Sequence, residues 1–278
     1  LSPDEMAGHY SENDVAAAVR RGVLTGPGGA WDIIAKRVAA IPSYADDFIA
    51  VYDHLDAPDQ IDFADISNAI AAFVAFEWRS DSAPFDAALG GAPLPEPAAS
   101  GMGLFYGKAG CADCHSGPFL TDHDFHAMGA PQIGPGKAAR FESHARDEGR
   151  FRVTGDPADL YAFRTPSLRN VALTAPYGHA GAHRDLRSFV QAHLDPVPAL
   201  QTYDLAAAVL PDLPVDDTAG LEDLAAIAAA APGKTELSEE EITALIAFLD
   251  ALTDPAAMTG RLGVPDAVPS GLPVARPR

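Results

Sequence analysis

Cysteine is nearly absent from this chain of 278 residues, which contains only two. A disulfide-stapled secreted scaffold needs several cysteine pairs along a short chain, so that class of protein is excluded. Long apolar runs are also missing. The longest, such as residues 69–76, are far shorter than the roughly 20 residues of a membrane-spanning helix, and we expect no membrane span.

Basic residues are scarce as well. Lys and Arg number 19 against 39 Asp and Glu, which gives a formal net charge of −20. A phosphate backbone or an anionic lipid surface would repel such a chain, so we exclude nucleic acid as a partner. The chain begins at Leu1 without a charged and then apolar leader, and we expect that a signal peptide or a larger segment precedes it.

Both cysteines lie in one motif, Cys111-Ala112-Asp113-Cys114-His115. The pair could be a redox dithiol, half of a zinc site, a chance occurrence or the attachment site of a c-type haem. A redox dithiol should follow a strand in a βαβ pattern, which the helical flanks do not resemble. Zinc needs four ligands, and neither a second cysteine pair nor a close histidine pair supplies the other two.

We favour the haem interpretation because it explains the spacing of the motif. Two thiols one turn apart can reach the two vinyl edges of a porphyrin, and His115 follows them as an iron ligand. Covalent attachment of haem to such a motif takes place outside the bacterial cytoplasm, so the implied compartment is the periplasm. We therefore expect one covalent haem c, tethered by Cys111 and Cys114 and ligated by His115.

The apolar periodicity is helical nearly everywhere and predicts an all-α protein with long loops. Asp62 is expected to start a helix whose buried face is Ile66, Ile70, Phe73 and Val74. A second helix is predicted up to Pro196, and Ser238 with Glu241 forms a capping box at the head of a third.

Three regions are predicted along the chain. Residues 82–97 are rich in Pro, Ala and Gly and indicate an interdomain connection with a boundary near residue 96. From residue 116 to 165 the chain has little periodicity, which is typical of a segment wrapped around a ligand. We assign residues 1–95 to a helical domain remnant, 96–252 to a cytochrome c-like haem domain and 253–278 to an extended C-terminal tail.

The ligand on the opposite face of the iron decides the function, and Met, His, Tyr or an open position are the usual choices. His193 lies late on the predicted helix 186–194, beside the apolar residues Phe189 and Val190. The residues alone favour a surface histidine near the end of this helix, where the helix dipole stabilises it.

Several motifs in the same order resemble the C-terminal haem domain of bacterial di-haem cytochrome c peroxidases and their MauG relatives. The similarity covers nearly the whole chain, so it is far more specific than the cysteine motif alone. The segments that match the haem domain are residues 103–105, 116–119, 121–122, 125–126, 147–150, 153–155, 163–171, 174–177 and 179, and the earlier segments 69–73 and 82–86 also fit the family.

The resemblance implies that the sixth ligand lies 19 residues beyond Thr174, which is His193. The family has Met at this position in typical peroxidases and Tyr in MauG, so this chain departs from both branches. A bis-histidine iron has a lower potential than a His/Met iron and is a poorer electron reservoir for a peroxidase.

The resemblance also implies roles for other residues. Arg164 matches an arginine near a haem propionate, with a surface ion pair as the alternative. Thr174 and Pro176 match residues whose backbone carbonyls help to bind calcium between two haems. His179 is expected to line the haem environment or to be a core histidine.

A second haem, at which peroxide binds, belongs to the N-terminal peroxidatic domain of the family. The segment Asp4-Glu5-Met6 resembles the part of that domain in which the glutamate moves protons during O–O cleavage. Glu5 is therefore a candidate catalytic acid, with a solvated carboxylate as the alternative. No second cysteine motif is present, so we expect either a chain that starts partway through a larger protein or a mono-haem relative.

The predicted function is a periplasmic haem c oxidoreductase of the di-haem peroxidase/MauG type. It takes electrons through a haem ligated by His115 and His193 to a peroxide-reacting haem. The implied partners are hydrogen peroxide and a small donor cytochrome or cupredoxin, or a protein substrate oxidised as MauG does; a homodimer is kept open. The rivals are a mono-haem bis-histidine electron carrier and a subunit that keeps haem merely as core.

Overall fold

A computed structural model describes residues 12–133, 146–208 and 221–274. These divide into two compact units. Unit 1 is formed within Leu1–Arg79 and Thr259–Arg278, and unit 2 within Ser80–Met258. In the described ranges, no helix combines the length and the apolar character that crossing a membrane requires.

The described residues are mostly helical, which confirms the predicted all-α class. Two strands of two residues each, Phe125–His126 (β1) and Phe163–Arg164 (β2), pair in antiparallel register. The helices are Asp14–Arg20 (α1), Ala30–Ala39 (α2), Pro42–Val51 (α3), Phe63–Glu77 (α4), Pro84–Leu89 (α5), Ala98–Phe105 (α6), Phe151–Thr154 (α7), Leu186–Leu194 (α8), Pro196–Gln201 (α9), Leu221–Ala230 (α10) and Glu239–Asp250 (α11).

Unit 1 is a small helical cluster. Helix α4 begins where the sequence predicts, because the Asp62 carboxylate accepts the backbone N–H groups of Ala64 and Asp65 that the first turn leaves unpaired. Trp31 of α2 stacks on Phe63 with ring centroids 4.3 Å apart. The buried residues of this core are Ala35, Ala45, Leu55, Ile61 and Ile66.

The predicted buried face of α4 is wrong at two of its four residues. Ile66 is buried and Val74 is half-buried, but Ile70 and Phe73 are 58% and 44% exposed. Apolar residues occupy several sides of this helix, and the packed core of unit 1 includes only Phe63 and Ile66 from it. Periodicity identifies apolar positions, but it does not determine which of them a neighbouring element covers.

The C-terminal segment is held at the end of α4. The backbone N–H groups of Arg261 and Leu262 donate to the Glu77 carboxylate at 3.0 and 2.7 Å. The guanidinium of Arg261 donates to the carbonyl of Arg79 at 3.0 Å. Residues 259–274 contain turns and irregular structure and are largely exposed.

Unit 2 is built around the packing of α6 on α11. The backbones approach so closely at Gly101 that a Cβ atom there would overlap the carbonyl oxygen of Ala244. Helix α11 starts with the predicted capping box of Ser238 and Glu241. Its apolar face enters a core that contains Phe85, Phe105, Leu120, Val171, Tyr177, Val190, Leu194, Ile242, Leu245, Phe248, Leu249 and Leu252.

The structure differs from the sequence analysis in the segment 82–97. This segment contains α5, with Pro84 in the first turn and the Asp86 carboxylate accepting the N–H of Ala83 at 2.9 Å. Phe85 of α5 is buried in the core of unit 2. Residues just before position 96 thus pack in the same compact unit as the cysteines.

Asp254 is a fully buried carboxylate in unit 2. It accepts hydrogen bonds from the N–H groups of Asp81, Ser82 and Ala256 and from the Ser82 hydroxyl, at 2.8 to 3.0 Å. Its own N–H donates to the side-chain oxygen of Asn170. Asp254 therefore joins its own stretch of chain to residues 81–82 through its side chain and to Asn170 through its backbone.

The predicted ligand-wrapping segment is irregular in its described part. Between residues 116 and 165 the regular elements are β1, the single-turn helix α7, a short 3-10 helix and β2. In the sheet, Phe125 lies opposite Arg164 and His126 opposite Phe163.

Candidate haem site

The cysteine motif forms one tight turn. Gly110 adopts φ +68°, and a 3-10 turn then runs from Cys111 to Asp113. The carbonyl of Cys111 accepts the N–H groups of Cys114 and His115 at 3.3 and 2.9 Å. This turn presents both thiols and the imidazole within one short stretch of backbone, as attachment of a single porphyrin requires.

The environment of the thiols does not suit a redox dithiol. Burial raises the pKa of Cys111 to about 11; a hydrogen bond with the backbone opposes this increase, and the charges of Asp113 and Cys114 add to it. Burial also raises the pKa of Cys114. Reactive dithiols have lowered thiol pKa values, because the thiolate is the attacking species.

Cys114 belongs to a cluster of three side chains that could bind a metal ion, which the sequence analysis did not predict. The ligand atoms of Cys114, Asp122 and His126 all lie within 4.8 Å of one another, and the last two are joined at 2.8 Å. A structural zinc site takes four ligands, and this group supplies three. Thioether formation at Cys114 would remove the thiolate. The sequence signal was the spacing of four residues between Asp122 and His126.

His115 has one ring nitrogen committed to the backbone. Its Nδ1–H donates to the carbonyl of Leu120 at 3.1 Å. Partial burial lowers the pKa of the imidazole below its ordinary value, although the carbonyl contact opposes this effect. The ring is therefore neutral at pH 7, with the Nε2 lone pair available for a metal.

His193 lies in the last turn of α8, the helix that the sequence predicts. The Asp185 carboxylate accepts the N–H of Ser188 and caps the start of this helix. The pKa of His193 is lowered to about 4, mainly by desolvation and also by the neighbouring His115 and His183, while the backbone of Phe189 acts in the opposite direction. The imidazole is partly buried and packs edge-on against the Phe189 ring at 4.3 Å.

Together these residues fit an enclosed haem. His115 lies close enough to His193 to lower its pKa, and burial favours the neutral form of both imidazoles. The Nδ1–H of His115 is hydrogen-bonded to the Leu120 carbonyl, and such a bond fixes the tautomer and leaves the other nitrogen for iron. Cys111 packs against the apolar core of unit 2 together with Leu168, Leu186 and Phe189.

Arg164 and His179 each contact side chains at or near strand β2. Arg164 is exposed on β2, and its Nη1 lies 3.4 Å from Nδ1 of His123. The ring of His179 stacks on Phe163 with centroids 3.6 Å apart, and its Nε2 pairs with the Asp147 carboxylate at 2.8 Å. His179 is therefore not a core histidine.

Thr174 and Pro176 are exposed and follow a 3-10 turn that ends at Leu173. The Thr174 hydroxyl donates to the carbonyl of Val171 at 3.0 Å. The calcium prediction concerns the backbone carbonyl groups of Thr174 and Pro176. Glu5 lies outside the described residues.

A family model and a solved structure both match parts of this chain. A family model described as di-haem cytochrome c peroxidase matches residues 2–93. A crystal structure of a MauG-like protein associated with microbial copper homeostasis is 30% identical, with a TM-score of 0.60, and the match covers 87% of this chain and 69% of that chain. The chain belongs to the di-haem cytochrome c peroxidase/MauG family.

Two curated members of the family match most of the chain. Cytochrome-c peroxidase IdrP1 of Denitromonas iodatirespirans is 30% identical over 81% of this chain and 58% of its own length. Methylamine utilization protein MauG of Methylorubrum extorquens is 31% identical over 82% of this chain and 54% of its own length. The chain thus spans little more than half of these relatives. Membership of this family implies haem c as the cofactor.

Proposed function

We propose that this member of the di-haem peroxidase/MauG family is the electron-transfer part of a periplasmic, peroxide-dependent oxidoreductase. Cys111 and Cys114 tether one haem c, and His115 and His193 are its axial ligands. A second haem of the same protein reacts with hydrogen peroxide. A small cytochrome or a cupredoxin donates the electrons.

The observation that carries the proposal is the pair of desolvated, neutral imidazoles beside the two cysteines. An imidazole that is only structural in a protein core needs a polar partner for each nitrogen, or it pays for burying one. His115 donates its Nδ1–H to the carbonyl of Leu120, and desolvation keeps the His193 ring neutral. Nε2 of His115 and one ring nitrogen of His193 are the atoms that iron would take.

The chain's own residues have two tasks at this site. The carbonyl of Leu120 sets the tautomer of His115. The apolar side chains packed around Cys111 exclude water. When bound, haem c supplies a one-electron iron couple, and ligation by two histidines holds its potential below that of a His/Met site.

The low potential supports a second candidate reaction, the MauG-like oxidation of side chains in a partner protein. His193 stands where typical peroxidases of the family have Met, and this difference favours a role other than simple peroxide removal. Turnover of peroxide with a reduced cytochrome supports the first reaction, whereas oxidation of a partner protein without such turnover supports the second.

The remaining predicted residues complete the proposal. Glu5 is the acid and base at the peroxide-reacting haem, and Arg164 pairs with a propionate. His179 lines the haem surroundings through its contact with Phe163. The carbonyls of Thr174 and Pro176 bind calcium between the haems, because hard oxygen ligands suit that ion.

Replacement of His193 tests the ligation. In the haem-loaded protein, His193→Ala should convert a six-coordinate low-spin absorption spectrum to a high-spin one, because a methyl group cannot bind iron. His183→Ala is the matched control, since His183 packs against the same Phe189 ring and is also partly desolvated. It should keep the low-spin spectrum.

Two results would overturn the assignment. An unchanged low-spin spectrum in His193→Ala removes this residue from the iron. A colourless wild-type protein in which Cys111 and Cys114 can both be alkylated removes the haem altogether. Separately, the intact mass of the whole mature protein gives the number of haems, and two are expected.

A further inference from the structure

The loop after His115 brings a carbonyl back to the imidazole. Leu120, whose oxygen accepts the Nδ1–H of His115, is fully buried and adopts φ +52°. Residues with a branched side chain rarely enter this left-handed region. The surroundings must therefore hold Leu120 in place for its carbonyl to point at the histidine.

Hydrogen bonds connect the segment 165–169 to this loop at three residues, Pro118, Phe119 and Thr121. Each contact pairs one loop residue with one residue of the segment, through a carbonyl on one side and a side chain on the other. The contacts are the Arg169 Nε and Nη2 to the Pro118 carbonyl at 3.0 and 2.8 Å, the Ser167 hydroxyl to the Phe119 carbonyl at 2.6 Å, and the Thr121 hydroxyl to the Thr165 carbonyl at 2.7 Å.

The guanidinium of Arg169 is itself fixed. Its Nη1 donates to the Asp86 carboxylate at 2.6 Å, and the two side chains are only 12% and 18% exposed. The other oxygen of Asp86 accepts the N–H of Ala83 at the start of α5. The ring of Phe85 lies 5.7 Å from the guanidinium carbon. Arg169 therefore links a rigid helix start to the loop carbonyl.

We propose that Arg169, fixed by Asp86, is a positioning residue that tunes the iron ligand His115. It holds the Pro118 carbonyl and so keeps the Leu120 carbonyl on Nδ1 of the imidazole. A hydrogen bond to that carbonyl makes the histidine a stronger electron donor and stabilises the ferric state relative to the ferrous state. This inference rests on the haem site proposed above.

The test is the midpoint reduction potential of the haem-loaded protein. Lysine keeps the charge of Arg169 but is a single point donor that cannot hold Pro118 and Asp86 together. Arg169→Lys should therefore loosen the loop, weaken the bond to His115 and raise the potential. A tenfold change in the ferrous-to-ferric ratio, about 59 mV for a one-electron couple, is the expected scale.

Two further variants and a control accompany this measurement. Asp86→Asn weakens the ion pair that fixes Arg169, and Ser167→Ala removes only the hydrogen bond to the Phe119 carbonyl. Both should raise the potential by less than Arg169→Lys does, and Ser167→Ala provides the test if Arg169→Lys does not fold. Arg187→Lys is the matched control, because Arg187 contacts Glu239 and Thr243 on α11 and no residue of the loop in the described contacts.

The outcomes separate this inference from the proposed function. Raised potentials with a retained low-spin spectrum support it, because a merely structural role would lower stability without changing the redox couple. Potentials equal to that of Arg187→Lys overturn it, even though the haem assignment then still holds. Absence of haem from the wild-type protein overturns the proposed function instead.

Discussion

The buried carboxylate of Asp254 makes a prediction about stability that needs no cofactor. Burial raises its pKa, but the hydrogen bonds from Ser82, Ala256 and Asp81 outweigh this effect and hold the pKa at about 2. The ordinary value is 3.8. The native state therefore favours the ionised form, and Asp254→Asn imitates the protonated one.

The magnitude follows from the linkage between pKa and stability. A pKa of about 2 in the folded state against 3.8 in the unfolded state corresponds to about 2.4 kcal/mol of stabilisation. Because the folded pKa is the lower one, this contribution is complete above about pH 5 and is lost as the pH falls towards 2. At pH 3 roughly half of it, about 1.3 kcal/mol, should remain.

Urea unfolding of the wild type and of Asp254→Asn, followed between pH 7 and pH 3, measures this difference. The variant should be about 2 kcal/mol less stable at pH 7 and about 1 kcal/mol less stable at pH 3. Asp250→Asn, an exposed aspartate at the end of α11, is the control and should change stability by less than about 0.5 kcal/mol. A difference between wild type and Asp254→Asn that does not vary with pH would refute the reasoning.

Two further predictions concern the helices. Gly101→Ala should destabilise unit 2 by about 1–3 kcal/mol or prevent its folding, because the added methyl group overlaps the carbonyl of Ala244. Thermal unfolding measures this loss of stability. The control Gly103→Ala, whose added methyl group meets no atom within 4 Å, should be neutral or nearly so. Asp62→Ala should cost about 1 kcal/mol in urea unfolding because it removes the cap of α4, whereas the exposed Asp59→Ala should cost clearly less.

The local signals in the sequence were the reliable ones. Asp62 and the pair Ser238 and Glu241 begin helices where their capping patterns predict, because a cap is made by residues two or three positions apart. Helix α8 ends before Pro196, as expected. These features depend on neighbouring residues, so the sequence alone was sufficient to find them.

Features that depend on contacts between residues far apart in the sequence were not predicted. The exposure of Ile70 and Phe73 is a property of what packs on α4, which periodicity does not contain. The pairing of Asp86 with Arg169 joins residues 83 positions apart, and neither is unusual in its own segment. A short helix such as α5 is also hidden where Pro, Ala and Gly dominate the composition.

The candidate haem site combines both kinds of information, and this makes its two histidines separable. The carbonyl that fixes the His115 ring is local in sequence, at Leu120. The distance between the rings, in contrast, depends on the core that joins α8 to the cysteine turn. A change at His193 should therefore remove one ligand without altering the tautomer of His115, whereas a change at Arg169 should alter the donor strength of His115 and leave His193 in place. Absorption spectra report the first effect and reduction potentials the second, so the two roles can be distinguished in one set of proteins.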